Sequence, residues 1–130
     1  MSPNRFSNLM IVVVEDHDDI RGYLGAFLSR LGAKVVAARN ALEGLEAVKT
    51  YRPNIVLSDI VMPGQDGFGL LGDIRSLGPD AGGDVPVIAM TALVTRADRA
   101  RVLHAGFQAC LPKPFGPAEL VETILTVVEK

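Results

Sequence analysis

Short continuous apolar runs alternate along this chain with stretches in which apolar residues recur every three or four positions. Residues 9–14 form the first run, which reads as a strand buried on both faces. It ends at Glu15-Asp16. From Asp18 onward Ile20, Leu24, Phe27, Leu28 and Leu31 fall on one helical stripe, closed by Gly32. Residues 33–38 predict a second strand. Asn40, with Glu43 three residues on as in a capping box, opens a helix whose inward side is Leu42, Leu45 and Val48. Arg52-Pro53 ends that helix. Residues 54–58 make the third strand, which delivers Asp59 and breaks at Pro63-Gly64. Phe68, Leu71, Ile74 and Leu77 supply a third stripe, and residues 78–84, rich in Gly, Pro and Asp, read as a surface loop. Residues 85–90 are the fourth strand, ending at Thr91-Ala92. Thr95 caps a polar helix through Leu103, closed near Gly106. Residues 107–111 are a short fifth strand, followed by Pro112-Lys113-Pro114. Pro117 suits the first turn of a last helix with Leu120, Val121, Ile124 and Val128 facing in. Residues 1–8, polar and Pro-containing, are expected to be a loose arm before one domain spanning 9–130.

This order is a βα unit repeated five times. Parallel strands need right-handed crossovers, so the alternation predicts an α/β fold with helices on both faces of a parallel sheet. A chain of 130 residues forms one such domain with a full core.

Composition changes this picture little. Hydrophobic residues at 48% and charged ones at 22% suit a globular protein rather than a disordered one. A net charge of −2 lacks the basic footprint of a nucleic-acid binder. The single cysteine allows no internal disulfide and no cysteine-based zinc site. The apolar run after Arg5 is too short for a signal-peptide core or a membrane span, so no membrane partner and a cytoplasmic location are expected.

The candidate chemistry lies at the strand ends. A lone Asp after a buried strand commonly caps a turn. In open parallel sheets, however, ligands bind beyond the carboxyl ends of the strands, where strand order reverses. Strand one ends in Glu15-Asp16, strand three in Asp59, strand four in Thr91, and strand five leads to Lys113. Three carboxylates, a hydroxyl and an ammonium thus converge on one edge. Neighbouring carboxylates repel, and a hard divalent cation relieves this without protonation. Thr91 can donate to a phosphoryl group and Lys113 can offset its charge, which is the equipment of phosphoryl transfer to a carboxylate.

With Val13-Val14-Glu15-Asp16, Ser58-Asp59-Ile60-Val61-Met62-Pro63-Gly64, Met90-Thr91-Ala92 and Lys113-Pro114-Phe115 in this order, the chain resembles the receiver domains of two-component response regulators. The likeness runs from about Leu9 to the end. It implies a flavodoxin-like (βα)5 three-layer sandwich with a central five-stranded parallel sheet in the order 2-1-3-4-5. Asp59 would be the phosphorylation site, taking a phosphoryl group from the phosphohistidine of a histidine kinase or histidine phosphotransfer protein. Asp16 and Asp59 would ligate Mg²⁺ (or Mn²⁺), Glu15 would hold a metal-bound water, and the Val61 carbonyl would complete the protein ligands. Thr91 and Lys113 would bind phosphoryl oxygens, helped by the Ala92 amide, and Lys113-Pro114 would be cis. Residues 95–130 would meet a downstream effector or a second receiver through the face made by the fourth helix, fifth strand and last helix. The reading is a signalling phosphoacceptor with weak self-phosphorylation and autophosphatase activity, not a turnover enzyme. It would stand alone or belong to a larger protein such as a hybrid kinase.

Two positions depart from the family pattern. Cys110, three residues before Lys113, stands where relatives carry a Tyr or Phe that swings inward as the threonine moves. This puts aromatic coupling in question, and the cysteine is expected to be a buried packing residue. Val61 and Leu93, two beyond Asp59 and Thr91, are apolar where some relatives orient a hydrolytic water, which implies a long-lived aspartyl phosphate.

Other residues take plainer readings. His17 is a solvated loop histidine without a second ligand at metal spacing, and His104 lies on the polar fourth helix. Arg96, Arg99 and Arg101 form a solvated basic side of that helix. Among rival functions, an aspartate-nucleophile phosphatase of the haloacid-dehalogenase type needs an acid/base Asp where Val61 stands. A flavodoxin-like electron carrier needs a Ser/Thr/Gly phosphate loop where Glu15-Asp16-His17-Asp18 stands. A degenerate receiver serving only for docking has Cys110 as its sole support.

Overall fold

In the computed structural model of the chain, residues 5–92 and 95–129 are described. Five strands, β1 (Met10–Val14), β2 (Lys34–Ala38), β3 (Ile55–Asp59), β4 (Val87–Thr91) and β5 (Ala109–Pro112), form one sheet in the order β2-β1-β3-β4-β5. All the pairings are parallel, from Met10 opposite Lys34 to Thr91 opposite Pro112. Between them run α1 (Asp18–Arg30), α2 (Ala41–Tyr51), α3 (Gly67–Arg75) and α4 (Arg96–Ala105), with α5 (Pro117–Val128) last. This is the flavodoxin-like arrangement expected, and the strand order reverses between β1 and β3.

Successive side chains of a strand point to opposite faces, so each central strand feeds two cores. Val12, Val14, Val56, Val87 and Ala89 pack on one side with α2, α3 and α4. Ile11, Val13, Ile55, Leu57, Ile88 and Met90 pack on the other with α1 and α5. With a helix layer on each face, the polar residues Glu15, Asp16, Asp59 and Thr91 stand at the strand ends.

Several details differ from the sequence expectation. Leu42 is 68% exposed rather than inward. Its helix instead buries Ala41, Gly44, Ala47 and Val48, because α2 lies so close to β1 that a Cβ on Gly44 would come within 2.8 Å of Val14 Cγ2. Asn40 caps that helix through Glu43 N–H, but the Glu43 carboxylate takes the N–H of Arg39, one residue before the cap. Of the expected loose arm, residues 1–4 lie outside the described residues. Phe6 is fully buried among α1 and α5 residues, and its N–H donates to Leu31 O at 2.9 Å. Residues 78–84 form the expected surface loop, with Pro79, Asp80 and Asp84 exposed, and it is tied down: Arg75 Nη1 donates to the carbonyls of Gly83 and Val85 at 2.9 and 2.7 Å. Among the described residues, no helix is long and apolar enough to cross a membrane.

Candidate functional site

β3 is buried along its whole length and carries Asp59 to the open edge of the sheet. Ser58, also fully buried, satisfies its hydroxyl on the Asp59 carbonyl at 2.9 Å. Beyond Asp59 the chain turns sharply: Ile60 N–H donates to Met90 O, and Gly67 N–H returns to Ile60 O at 2.8 Å. A side chain at position 67 has no room, since a Cβ there would lie 2.6 Å from the Asp59 carbonyl oxygen. Asp66 then caps α3 by accepting Gly69 N–H at 2.9 Å.

The β1 end brings Glu15 and Asp16 beside Asp59. One carboxylate oxygen from each of the three lies within 4.8 Å of the other two. Glu15 is buried, with 1% exposure, whereas Asp16 is open to solvent. Just past β5, Lys113 closes the group: its Nζ sits 2.9 Å from Glu15 Oε1 and 3.3 Å from Asp59 Oδ2. Lys113 N–H donates to Thr91 O at 2.7 Å, and the Lys113-Pro114 peptide is cis, as the family resemblance implied. Thr91 is buried at the end of β4, in register with Pro112.

Electrostatics follow from this crowding. Burial first, and then the negative charge of Glu15, push the Asp59 carboxyl up to about 6, against the pull of Lys113 and the Val61 N–H. Burial works to lower the Lys113 ammonium. Its hydrogen bond to Glu15 and the charges of Asp59 and Glu15 outweigh burial and hold it above the ordinary lysine value. Three carboxylates and one ammonium leave two negative charges at the edge. Hard oxygen donors with that excess fit a divalent cation such as Mg²⁺.

The structure therefore gathers Glu15, Asp16, Asp59, Thr91 and Lys113 from four strands, as the sequence suggests. Val61 offers its backbone here and is 66% exposed. Cys110 lies back along β5, opposite Ala89. It is half-buried rather than buried, and packs against the α2–α3–α4 core. Burial raises its thiol, opposed by Arg99. Leu93 lies outside the described residues. His17, read as a loop residue, is exposed and is the N-cap of α1, its Nδ1 facing Ile20 N–H at 3.5 Å. His104 is exposed, and so are Arg96, Arg99 and Arg101, with Arg101 4.7 Å over the Phe68 ring. Sequence reasoning passes over Arg21, whose guanidinium reaches the carbonyls of Glu15 and Asp16. An Arg one turn into the helix after an acidic pair is the only available signal. An open, mainly apolar groove of about 550 Å³ adjoins the site, lined by Ile20, Tyr23, Ala92, Lys113, Pro114 and Phe115.

The family model for the response regulator receiver domain matches residues 11–125. The chain is 40% identical over 114 residues to an uncharacterized 14.6 kDa protein from the sodA1 3′ region of Leptolyngbya boryana, covering 88% of this chain and 86% of that protein. It is 36% identical over 120 residues to the probable transcriptional regulator ycf27 of Porphyridium aerugineum. That match covers 92% of this chain but only 48% of the regulator, so the chain spans about half its length. Among solved structures, the receiver domain of sensor histidine kinase PA1611 from Pseudomonas aeruginosa PAO1, with a magnesium ion coordinated in its active site cleft, matches with a TM-score of 0.84. Identity is 29%, over 95% of this chain and all of that one (100%).

Proposed function

The chain belongs to the response regulator receiver domain family, and on that premise we propose that it accepts a phosphoryl group on Asp59 from a phosphohistidine. The observation that carries this reading is the meeting of Asp59 with Glu15, Asp16 and Lys113 at the strand ends. The ionised Asp59 oxygen attacks phosphorus, and the P–O bond forms as the donor's P–N bond breaks. The donor is a histidine kinase or a histidine phosphotransfer protein.

Asp16, Asp59 and the Val61 carbonyl would hold Mg²⁺ (or Mn²⁺), with Glu15 acting through water. The cation supplies charge neutralisation on the transferring oxygens. Lys113 lies within reach of Asp59 and offers its ammonium to a second phosphoryl oxygen. Thr91 presents its hydroxyl from the neighbouring strand. The dry floor formed by β3 and β4 excludes water from behind Asp59, which favours transfer over hydrolysis.

The product is a signal rather than a released metabolite, and the domain turns over slowly if at all. The α4–β5–α5 face would pass it to a protein effector or a second receiver, without direct nucleic-acid contact, in the cytoplasm. Cys110 leaves β5 without an aromatic ring, so a ring rotamer on that strand does not carry the coupling.

Incubation with Mg²⁺ and acetyl phosphate, followed by intact mass measurement, tests the assignment. Wild type should gain one phosphoryl group and Asp59→Asn none. An adduct that persists in Asp59→Asn overturns it.

A further inference from the structure

The Glu15-Asp16 pair sits where β1 has ended and α1 has not begun, so few backbone bonds restrain it. Glu15 N–H still reaches Ala38 O at 3.0 Å. His17 N–H donates to Glu15 Oε2 at 3.1 Å, which holds the Glu15 side chain. The grip on the backbone of both residues comes from α1. Arg21 Nη1 donates to Glu15 O at 2.9 Å and, in a longer reach, to Asp16 O at 3.4 Å. Its Nη2 pairs with the Asp18 carboxylate. The Arg21 side chain is only 16% exposed, against 83% for Asp18, so the guanidinium is set into the loop while its ion-pair partner faces water.

We propose that Arg21 is a positioning residue for the cation site: by holding the two carbonyls it sets the direction in which Asp16 presents its carboxylate. This rests on the magnesium reading given above. A guanidinium suits the task because its planar fork reaches several acceptors at once, which an ammonium cannot do from one point. Charge alone predicts the reverse effect. A cation beside an acidic site repels Mg²⁺, so deleting it should tighten binding if electrostatics were the whole role. Deletion also frees the Asp18 carboxylate, which adds further attraction. Positioning predicts weaker binding in spite of both.

Outer hydrogen-bond partners of metal ligands typically govern ten- to hundredfold in affinity, and Arg21 acts on backbone rather than on ligand atoms. Roughly a tenfold loss is therefore expected for Arg21→Met.

The test is Mg²⁺ titration by calorimetry into the metal-free full chain, for wild type, Arg21→Met, Arg21→Lys, Asp18→Asn and Asp16→Asn. A melt of each without metal runs in parallel. Arg21→Met should bind about tenfold more weakly, Arg21→Lys should not restore wild-type affinity, and Asp18→Asn should stay within about twofold. Equal or tighter Mg²⁺ binding by Arg21→Met overturns the proposal, as does a lowered melt with unchanged affinity, which marks a purely structural role. Should Arg21→Met not fold, Arg21→Lys decides, and wild-type affinity there overturns it. A wild-type chain that takes up no Mg²⁺, or is indifferent to Asp16→Asn, overturns the magnesium reading and this proposal with it. That pattern is distinct from a change confined to the Arg21 variants.

Discussion

Lys113 Nζ and Glu15 Oε1 meet at 2.9 Å across ninety-eight positions of sequence, closer than the 3.3 Å from Lys113 to Asp59. The lysine is thus tethered first to a carboxylate with 1% exposure and only second to Asp59. Removing one partner of a buried pair leaves an uncompensated charge, at a cost of about 3 kcal/mol. Lys113→Met keeps an apolar stem and isolates this effect. Its melting temperature in metal-free buffer should fall accordingly, and added Mg²⁺ should recover part of the loss by supplying positive charge at the same edge. Thermal melts with and without Mg²⁺ check this. A metal-free variant as stable as wild type would show that the pair contributes nothing.

Asp59 gives the site a pH dependence of definite sign. Its carboxyl stands at about 6 in the fold against an ordinary 3.8, so the folded state binds its proton more tightly than the unfolded chain does. The stability this contributes is complete below pH 3.8 and is lost as pH rises to about 6. Above that the whole contribution, on the order of 3 kcal/mol, is gone because the buried carboxylate is ionised. Metal-free Asp59→Asn should therefore exceed wild type in stability at pH 8, with the gap closing towards pH 4. Denaturant melts across that range measure it, and a gap that grows on acidification contradicts the assignment.

The strand ends were legible because four of the five apolar runs lead to a polar residue whose type is chemically informative: Glu15-Asp16, Asp59, Thr91 and, just past β5, Lys113, while the second ends in Arg39-Asn40 with no comparable group. Periodicity alone yields five βα units, and the order 2-1-3-4-5 came only with the family resemblance. Other features left no trace. A hydrophobic stripe does not distinguish large from small residues, so the close approach of Gly44 to Val14, which turns Leu42 outward, was hidden. Phe6 stands alone in a polar segment, and nothing local announces that it fills the space between α1 and α5. Arg21 acts on carbonyls, which every residue carries.

Gly67 ties the backbone of the site to α3. A Cβ at this position would meet Asp59 O at 2.6 Å and Ile60 Cα at 2.8 Å, both backbone atoms that cannot swing aside as a side chain can. Gly67→Ala should force the turn after Asp59 to move and cost about 1–3 kcal/mol, as overpacking does. Because the displaced carbonyl belongs to the phosphoacceptor itself, phosphorylation by acetyl phosphate should slow even where the variant remains folded. Gly72→Ala is the control, since a Cβ there meets nothing within 4 Å. Equal rates and equal stabilities for the two variants would exclude a special role for Gly67.

Val61 bears on how long the phosphorylated state lasts. Val61, two residues beyond Asp59, is 66% exposed, so water reaches this rim, yet an isopropyl group can neither accept nor donate a hydrogen bond. Leu93 is equally unable to orient water at the position two beyond Thr91. Hydrolysis of the aspartyl phosphate needs a water aligned with the P–O bond, and without a polar group to hold it that alignment is left to chance. Val61→Asn combined with Leu93→Glu supplies an amide and a carboxylate at the two positions. The double variant should lose its phosphoryl group at least about tenfold faster, a barrier change of roughly 1.4 kcal/mol. Intact mass followed over time, after the phosphodonor is removed with Mg²⁺ still present, reads this rate directly. A decay no faster than that of wild type would mean that Val61 and Leu93 do not limit hydrolysis, and that the lifetime is set by Lys113 and the cation instead.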